Sequence, residues 1–379
     1  MNDKLELNNL RDEIDSLDKE ICKLYESRMD VVSNILKEKQ KTDTKILNKD
    51  RENDVLSRVA NYVAPKNVNR IRQLFRTIMR QSRETQYEGL SSDITIEQII
   101  GAIPVSVLNP KKVAFAGLIG SYTHLAAKKM YPDAKHEGFQ RFTEVLASLK
   151  SGEYDACVLP IDNTTEGIVA DVYDGILDND LYISENIVLP INHCLLGIKD
   201  SDLNEIRIVR SHPQALGQCS EYIDKMKFDT IPEPNTSVAA KRILHDNNPL
   251  QAAIASEFSA EIYGLQVLEK GINNIKDNKT RFISVTKQPL IKENADRISI
   301  SFIVPHESGF LANMLSAVSD YDINILNIHS LPIPEKPWEY RFYMDIKGNI
   351  NDNKIKAILL MFKMELSEIK FLGNYEDHL

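Results

Sequence analysis

Paired-cysteine spacings, long apolar runs and any excess of positive charge are all missing from this sequence. Its four cysteines, Cys22, Cys157, Cys194 and Cys219, show no CxxC or CxxH spacing, so neither a zinc site nor a disulfide framework is indicated. No apolar stretch approaches membrane-spanning length, and the start MNDKLELNNLRDEID is polar, without a signal-peptide core. A cytoplasmic protein with reduced thiols is expected. The net charge of −9 argues against nucleic-acid or anionic-membrane partners, so a site for an acidic ligand must be local. Glycine is absent from residues 1–88 and proline occurs there once, at Pro65, although the chain holds 15 of each.

With 379 residues, 42% hydrophobic and 27% charged, the chain is an ordinary globular one, long enough for several domains. Residues 1–88 can be helical almost throughout, with helices expected near 5–41, 48–62 and 68–87. In the first, Leu10, Ile14, Leu17, Ile21 and Leu24 step by four and three, the spacing of a helix-packing seam. Continued, that seam reaches Arg28, Val31, Ile35 and Lys39. The two cations share one face, roughly 16 Å apart along the axis, and a buried cation needs an anion. A lone Lys would snorkel to solvent; two cations on one seam point instead to an anionic small molecule. In the third helix, Ile71, Phe75 and Ile78 set a seam that ends in inward-facing Ser82 and Gln86. Three helices of this kind cannot bury so long a seam alone, so a homodimer is expected. Arg11 lies about 100° around the helix from Arg28 and can join it only from a second copy.

After a linker at 91–110, apolar runs alternate with helical patterns. VAFAG, DACVLP, IRIVRSHP, AAIAS and RFISV read as strands, which predicts a doubly wound α/β region with two lobes. From Arg297 the order becomes βαββαβ, a ferredoxin-like arrangement.

Arg11, Arg28, Lys39, Arg51, Glu52, Ser82 and Gln86 suit a small dianion carrying a hydroxyl. With no nucleophile–base pair and no metal cluster among them, the slot would work by geometry and fixed charge. LRDEIDSLDKEI, ESRMDVV, KEK, DRE and the later SxxxQ resemble the all-helical class of chorismate mutase. The resemblance implies that Arg28, and Arg11 of a second copy, hold the substrate carboxylates, and that Lys39 and Gln86 face the ether oxygen. It also implies that Glu52 with the Arg51 backbone takes the ring hydroxyl and that Ser82 meets a carboxylate. Asn48 stands where that family has an acid, which implies weaker binding.

In the α/β region, GSYTH, PIDNTTEG, SHPQ and NTS each open a helix with capping side chains and free N–H groups, a ready anion cradle. For any single turn the simple reading is a cap. Their wording, with Thr280-Arg281-Phe282, resembles prephenate dehydratase from Lys112 to Thr286, an enzyme often fused to the mutase. This implies a two-lobed fold like that of periplasmic binding proteins. It also implies that Thr280 is the key hydroxyl at the leaving group, that Arg281 anchors or orders the site, and that Ser121, Asn163, Thr164, Ser211, Gln218 and Thr236 line the prephenate pocket. Asp162 departs from that family's Glu. His124, His193 and His212 read as structural.

The C-terminal βαββαβ unit resembles an ACT domain, a phenylalanine-binding module. The effector positions implied are Gly309, Phe310, Leu311, Ser330 and Leu331. Phe310 replaces a family Ala, and the second motif lacks the expected Glu and Arg, which puts feedback inhibition in doubt beside a purely dimerising role. The expected boundaries are 1–90 for the mutase, 91–110 for the linker, 111–290 for the dehydratase and 297–379 for the ACT domain. Neither expected reaction calls for a metal or organic cofactor. The alternative is a ligand-responsive regulator with a helical dimeriser and a two-lobed effector domain. It is disfavoured by the acidic total and by cations placed in a seam instead of on a recognition face.

Overall fold

The computed structural model describes residues 2–42, 44–305, 307, 309–333 and 336–378. It divides into two compact units. One holds Met1–Gly101, Phe302–Phe342 and Ile350–Ile369; the other holds Ala102–Ser301, Tyr343–Asn349 and Lys370–Leu379.

The glycine-free stretch forms α1 (Asn2–Thr42), α2 (Lys49–Ala60) and α3 (Val68–Ser91), close to the predicted spans. Asn48 starts α2 by accepting the Arg51 N–H at 2.9 Å, and Pro65 opens a short 3-10 turn before α3. One difference stands out along α1. Val32 and Leu36 are buried, with Tyr25 and Met29 half-buried, whereas Val31 and Ile35 are exposed. The face turned to α3 is therefore the stripe 25-29-32-36, one residue around from the predicted seam. The helix α4 (Ile96–Ile100) falls in the predicted linker; Thr95 and Gln98 cap it reciprocally.

The second unit contains β1 (Lys112–Ala116), α5 (Tyr122–Met130), β2 (Lys135–Phe139), α6 (Phe142–Ser151), β3 (Ala156–Asn163), β4 (Gly167–Ile168), α7 (Ala170–Asp178) and β5 (Tyr182–Pro190). There follow β6 (His193–Gly197), β7 (Ile208–Ser211), α8 (Pro213–Gln218), α9 (Ser220–Met226), β8 (Asp229–Pro232), α10 (Thr236–Asp246), β9 (Gln251–Ser256), α11 (Glu257–Tyr263), β10 (Gln266–Lys270) and β11 (Lys279–Thr286). Two sheets result. The first runs β2-β1-β3-β11-β5 with β4 paired to β3, and the second runs β10-β6-β9-β7-β8. The chain crosses between lobes after β5 and returns as β11, the two-lobed plan expected. Fully buried Val113, Phe115, Ala156 and Val158 anchor the first lobe, and Leu195, Val209, Ala252 and Ile254 the second. The β11–β3 register sets Thr280 opposite Asn163 and Arg281 opposite Asp162, so the pairing of two strands brings these side chains together.

The last elements are β12 (Arg297–Ile303), α12 (Phe310–Asp320), β13 (Ile325–Pro332), β14 (Tyr340–Lys347), α13 (Asn353–Glu365) and β15 (Glu368–Tyr375). Their sheet order β13-β14-β12-β15 is that of a ferredoxin-like βαββαβ fold. Among the described residues no helix is long and apolar enough to cross a membrane.

Candidate active sites

Within the helical unit α3 presents two faces. Ser82 and Gln86, both buried, turn toward α1. Arg28 Nη1 donates to Ser82 Oγ, which itself donates to the Ile78 carbonyl at 2.6 Å, and Gln86 Nε2 donates to the Ser82 carbonyl at 2.9 Å. Gln86 Oε1 is buried without a hydrogen-bond partner. Burial pulls the Arg28 guanidinium below its ordinary pKa.

Lys39 donates to the Ile46 carbonyl at 2.7 Å. Burial is the main cause of its lowered pKa; Glu52 acts against that shift and Arg83 reinforces it. Glu52 pairs with Arg83, a cation the sequence reading did not single out. Asn48 is spent on capping α2, Arg51 is exposed, and Arg11 is exposed well before the region where α3 packs. The chain thus gathers Arg28, Ser82 and Gln86, sets Lys39 and Glu52 within electrostatic reach of each other, and leaves Arg11 apart. The apolar stripe around Arg11 is bare: Leu10, Ile14, Leu17, Ile21 and Leu24 are 53–71% exposed.

In the two-lobed unit a cavity of about 360 Å³ lies between the sheets. Ser121, Asn163, Gln218, Thr236 and Thr280 line it, five of the predicted residues. Asn163 Nδ2 donates to Thr280 Oγ1 and to Asn278 Oδ1, each at 2.8 Å. Its Oδ1 accepts from the N–H groups of Thr165 and Glu166 at 2.9 and 3.1 Å. The amide is therefore held at both ends. Ser121 caps α5 and Asn235 caps α10, so two helix N-termini stand at the cavity. Gly120, at φ +90°, makes the turn before Ser121; an added Cβ would sit 3.1 Å from the Tyr263 ring.

Other predicted residues point elsewhere. Ser211 is fully buried and donates to the Ile254 carbonyl at 2.6 Å. Thr164 accepts the Lys279 N–H at 2.9 Å, bracing β11 from behind. Arg281, 4% exposed, is bound by Asp162 at 2.6 Å and Asp345 at 2.9 Å. Burial opposes its charge, but Tyr375, Asp345 and Asp162 outweigh that and hold it well above the ordinary value. Asp162 thus secures Arg281, while Asn278 and the Thr165 and Glu166 N–H groups position Asn163.

The reading also passed over Tyr122, Gln140, Phe142, Gln214, Asn235 and Phe282, all of which line the cavity. Tyr122, Gln214 and Asn235 stand inside the quoted turns and Phe282 ends the quoted Thr280-Arg281-Phe282; Gln140 and Phe142 carry no motif. His193 and His212 line it as well. His193 Nε2 meets Gln218 Oε1 at 3.1 Å, and burial lowers its pKa. His212 caps α8. His124 accepts the Gly120 N–H at Nδ1 and stacks on Phe115, and burial beside His136 and Lys128 brings its pKa to about 4. It is a neutral structural group at ordinary pH.

In the C-terminal module Gly309 precedes α12 at φ +80°. Phe310 lines a cavity of about 270 Å³ with Glu52, Arg83 and Glu365. Half-buried Leu311 and Leu331 and exposed Ser330 do not line it.

Two family models match the chain: chorismate mutase type II over residues 10–87 and prephenate dehydratase over residues 113–290. A bifunctional chorismate mutase/prephenate dehydratase of Buchnera aphidicola subsp. Schizaphis graminum is 33% identical over 99% of this chain and 97% of its own length. The protein of the same description from Aquifex aeolicus is 30% identical over 98% of both chains. Among solved structures, the prephenate dehydratase of Arthrobacter aurescens in complex with L-Phe covers 70% of this chain and 90% of its own, at TM-score 0.65 and 27% identity.

Proposed function

This chain belongs to the bifunctional chorismate mutase/prephenate dehydratase family, and from that premise we propose how its residues divide the work. It carries both activities of that family in phenylalanine biosynthesis, which sets the regulator alternative aside. We assign the mutase to residues 1–90, a linker to 91–110, the dehydratase to 111–290 and the ACT domain to 297–379.

In the first reaction chorismate rearranges to prephenate as its ether C–O bond breaks, and negative charge grows on that oxygen. Donors aimed there stabilise the transition state more than the ground state. Lys39 and Gln86 take that role. Arg28 and Ser82 hold one carboxylate, Arg11 of a second copy the other, and Glu52 with the Arg51 backbone the hydroxyl. Asn48 supports α2 at that end. The burial of Gln86 beside the Arg28–Ser82 pair supports this reading; turning its amide over would bring Nε2, which donates to the Ser82 carbonyl, toward the ether oxygen. A homodimer would cover the bare α1 stripe, whose side chains are worth about 1.5–3 kcal/mol each when fully buried.

In the second reaction prephenate loses its ring hydroxyl as water and its ring carboxylate as carbon dioxide. The single observation that carries our assignment is the Asn163–Thr280 hydrogen bond at the cavity wall. Because Asn163 donates into Thr280 Oγ1, the threonine proton is free to point at the departing hydroxyl. Ser121, Gln218 and Thr236, with the α5 and α10 N-termini, would hold the remaining carboxylate. Thr164, Ser211 and Arg281 would act from behind by ordering β11 and its surroundings.

Phenylalanine would act as effector through the ACT domain, at Gly309, Phe310, Leu311, Ser330 and Leu331. Calorimetry with phenylalanine, alongside dehydratase rates, checks this: no heat and an unchanged rate would leave the module a dimeriser. A cytoplasmic location fits such an enzyme.

The deciding experiment supplies chorismate to wild type, Lys39→Ala and Thr280→Ala, following its loss and the appearance of phenylpyruvate. Lys39→Ala should abolish the first step alone, and Thr280→Ala should stop the sequence at prephenate. Full mutase turnover by Lys39→Ala would overturn the first assignment.

A further inference from the structure

Arg83 lies about 100° around α3 from Ser82 and about 60° from Gln86, and it holds two carboxylates at once. Nη1 donates to Glu52, and Nε donates to Glu365 Oε1 at 2.8 Å. The side chains of Arg83 and Glu365 are 13% and 5% exposed, and that of Glu52 is 28% exposed. Tyr87, also buried, hydrogen-bonds Glu365. Glu52 belongs to α2 beside the mutase centre, whereas Glu365 ends α13 of the βαββαβ module. One guanidinium therefore ties a residue of the mutase site to a helix of the C-terminal module.

Glu52 faces two competing cations, because it also acts on Lys39. A carboxylate released from Arg83 would be drawn toward Lys39, whose charge it already acts on. Paired with Glu52, Lys39 could no longer lend its charge to the ether oxygen. The planar guanidinium fork meets two carboxylates from fixed directions, which a single point charge does less well.

We propose that Arg83, anchored by Glu365 on α13, is a positioning residue of the mutase centre that holds Glu52 away from Lys39. Through it the C-terminal module has a direct mechanical hold on the first reaction. The inference rests on the assignment of Lys39 and Glu52 above.

The test uses the full-length enzyme with Arg83→Met, Arg83→Lys, Glu365→Gln and the double variant Arg83→Met/Glu365→Gln. Mutase rates are measured against chorismate, and dehydratase rates against prephenate report folding. Arg83→Met should lower mutase kcat about tenfold or more with a smaller change in KM, the pattern of a lost transition-state interaction. Arg83→Lys should recover part of that loss, and all four variants should keep wild-type dehydratase rates. Glu365→Gln should shift mutase kcat by about threefold in wild type and by nothing once Arg83 is Met, since coupled residues are non-additive.

Wild-type mutase kcat in Arg83→Met, no rescue by Lys, or additive effects of the two changes would each overturn the proposal. If Arg83→Met does not fold, Glu365→Gln decides alone, and an unaltered mutase kcat there overturns it. Lys39→Ala separates this from the parent assignment. An inactive Lys39→Ala beside a normal Arg83→Met sinks only the Arg83 role, whereas an active Lys39→Ala sinks the site itself.

Discussion

Asn163 and Thr280 face each other across the β3–β11 pairing, with the amide donating to the hydroxyl oxygen at 2.8 Å. The direction of that bond decides what Thr280 can do, because a hydroxyl that accepts from Asn163 keeps its own proton to give away. Thr280→Ala should lower dehydratase kcat by about 100-fold or more, in the range expected for removing a proton donor. Thr280→Ser should retain most of the rate. Asn163→Ala should cost less than Thr280→Ala, since Asn163 orients the hydroxyl and does not replace it. Mutase rates in the same preparations should stay at wild type. Equal rates for Thr280→Ala and wild type would remove Thr280 from the reaction.

Lys39 supplies a pH signature for the other site. Burial lowers its pKa from the ordinary 10.5, and Arg83 adds to the effect. With Lys39 assigned to the ether oxygen the ammonium is the form required, so mutase kcat should decline on the alkaline side at a pH below the ordinary lysine range. Lys39→Arg keeps its charge to higher pH and should move that limb out of reach, whatever it does to the maximum rate. Rate profiles of the two proteins between pH 6 and 10.5 decide this. Superimposable alkaline limbs would show that another group sets the decline.

The grouping of Arg28 on α1 with Ser82 and Gln86 on α3 was legible because polar residues at seam positions violate helix periodicity and so call for an explanation. The face of α1 that packs on α3 was not. Two apolar stripes one residue apart, 24-28-31-35 and 25-29-32-36, both satisfy the spacing, and sequence alone cannot say which one a helix of the same chain covers. Strands β1, β3, β7, β9 and β11 were visible as apolar runs. Strand β5 was missed because it buries polar Ser184 and Asn186, each 1% exposed, and β2 and β8 are short and rich in polar residues. Arg83 looks like any surface arginine until its partner Glu365, 282 positions later, is placed beside it by folding. Arg281 adjoins Thr280 in sequence, but strand alternation turns it to the other face, toward Asp162 and Asp345.

If two copies pair through the bare α1 stripe, assembly serves the mutase alone. Leu17→Glu with Ile21→Glu would place carboxylates among side chains that are 53% and 61% exposed in one chain. The single chain should tolerate this, whereas a helix–helix seam should not. Sedimentation should show a monomer, mutase activity should be lost with the dimer, and dehydratase activity should persist. Arg11→Ala should lose mutase activity while remaining dimeric. A charged-stripe variant that is monomeric with full mutase turnover would refute a shared site.

Glu84 makes the helical unit less stable as pH rises. Its side chain is 8% exposed, and Arg80 Nε approaches at 3.3 Å without hydrogen-bond alignment. Burial first, then Asp320, raises its pKa to about 7, against the pull of Arg80 and Arg83; Glu88 adds to the rise. Tyr321 of α12 and Tyr25 of α1 also face it. The folded chain therefore holds a proton that the unfolded chain releases near 4.5. Stability falls as pH climbs from about 4.5 to about 7 and then stays reduced, by up to about 3 kcal/mol in order of magnitude. Glu84→Gln keeps the shape and removes the titration. Its thermal midpoint should exceed that of wild type at pH 8, and the gap should close by pH 4.5. A gap that does not vary across this range would mean that Glu84 is ionised in the folded chain throughout.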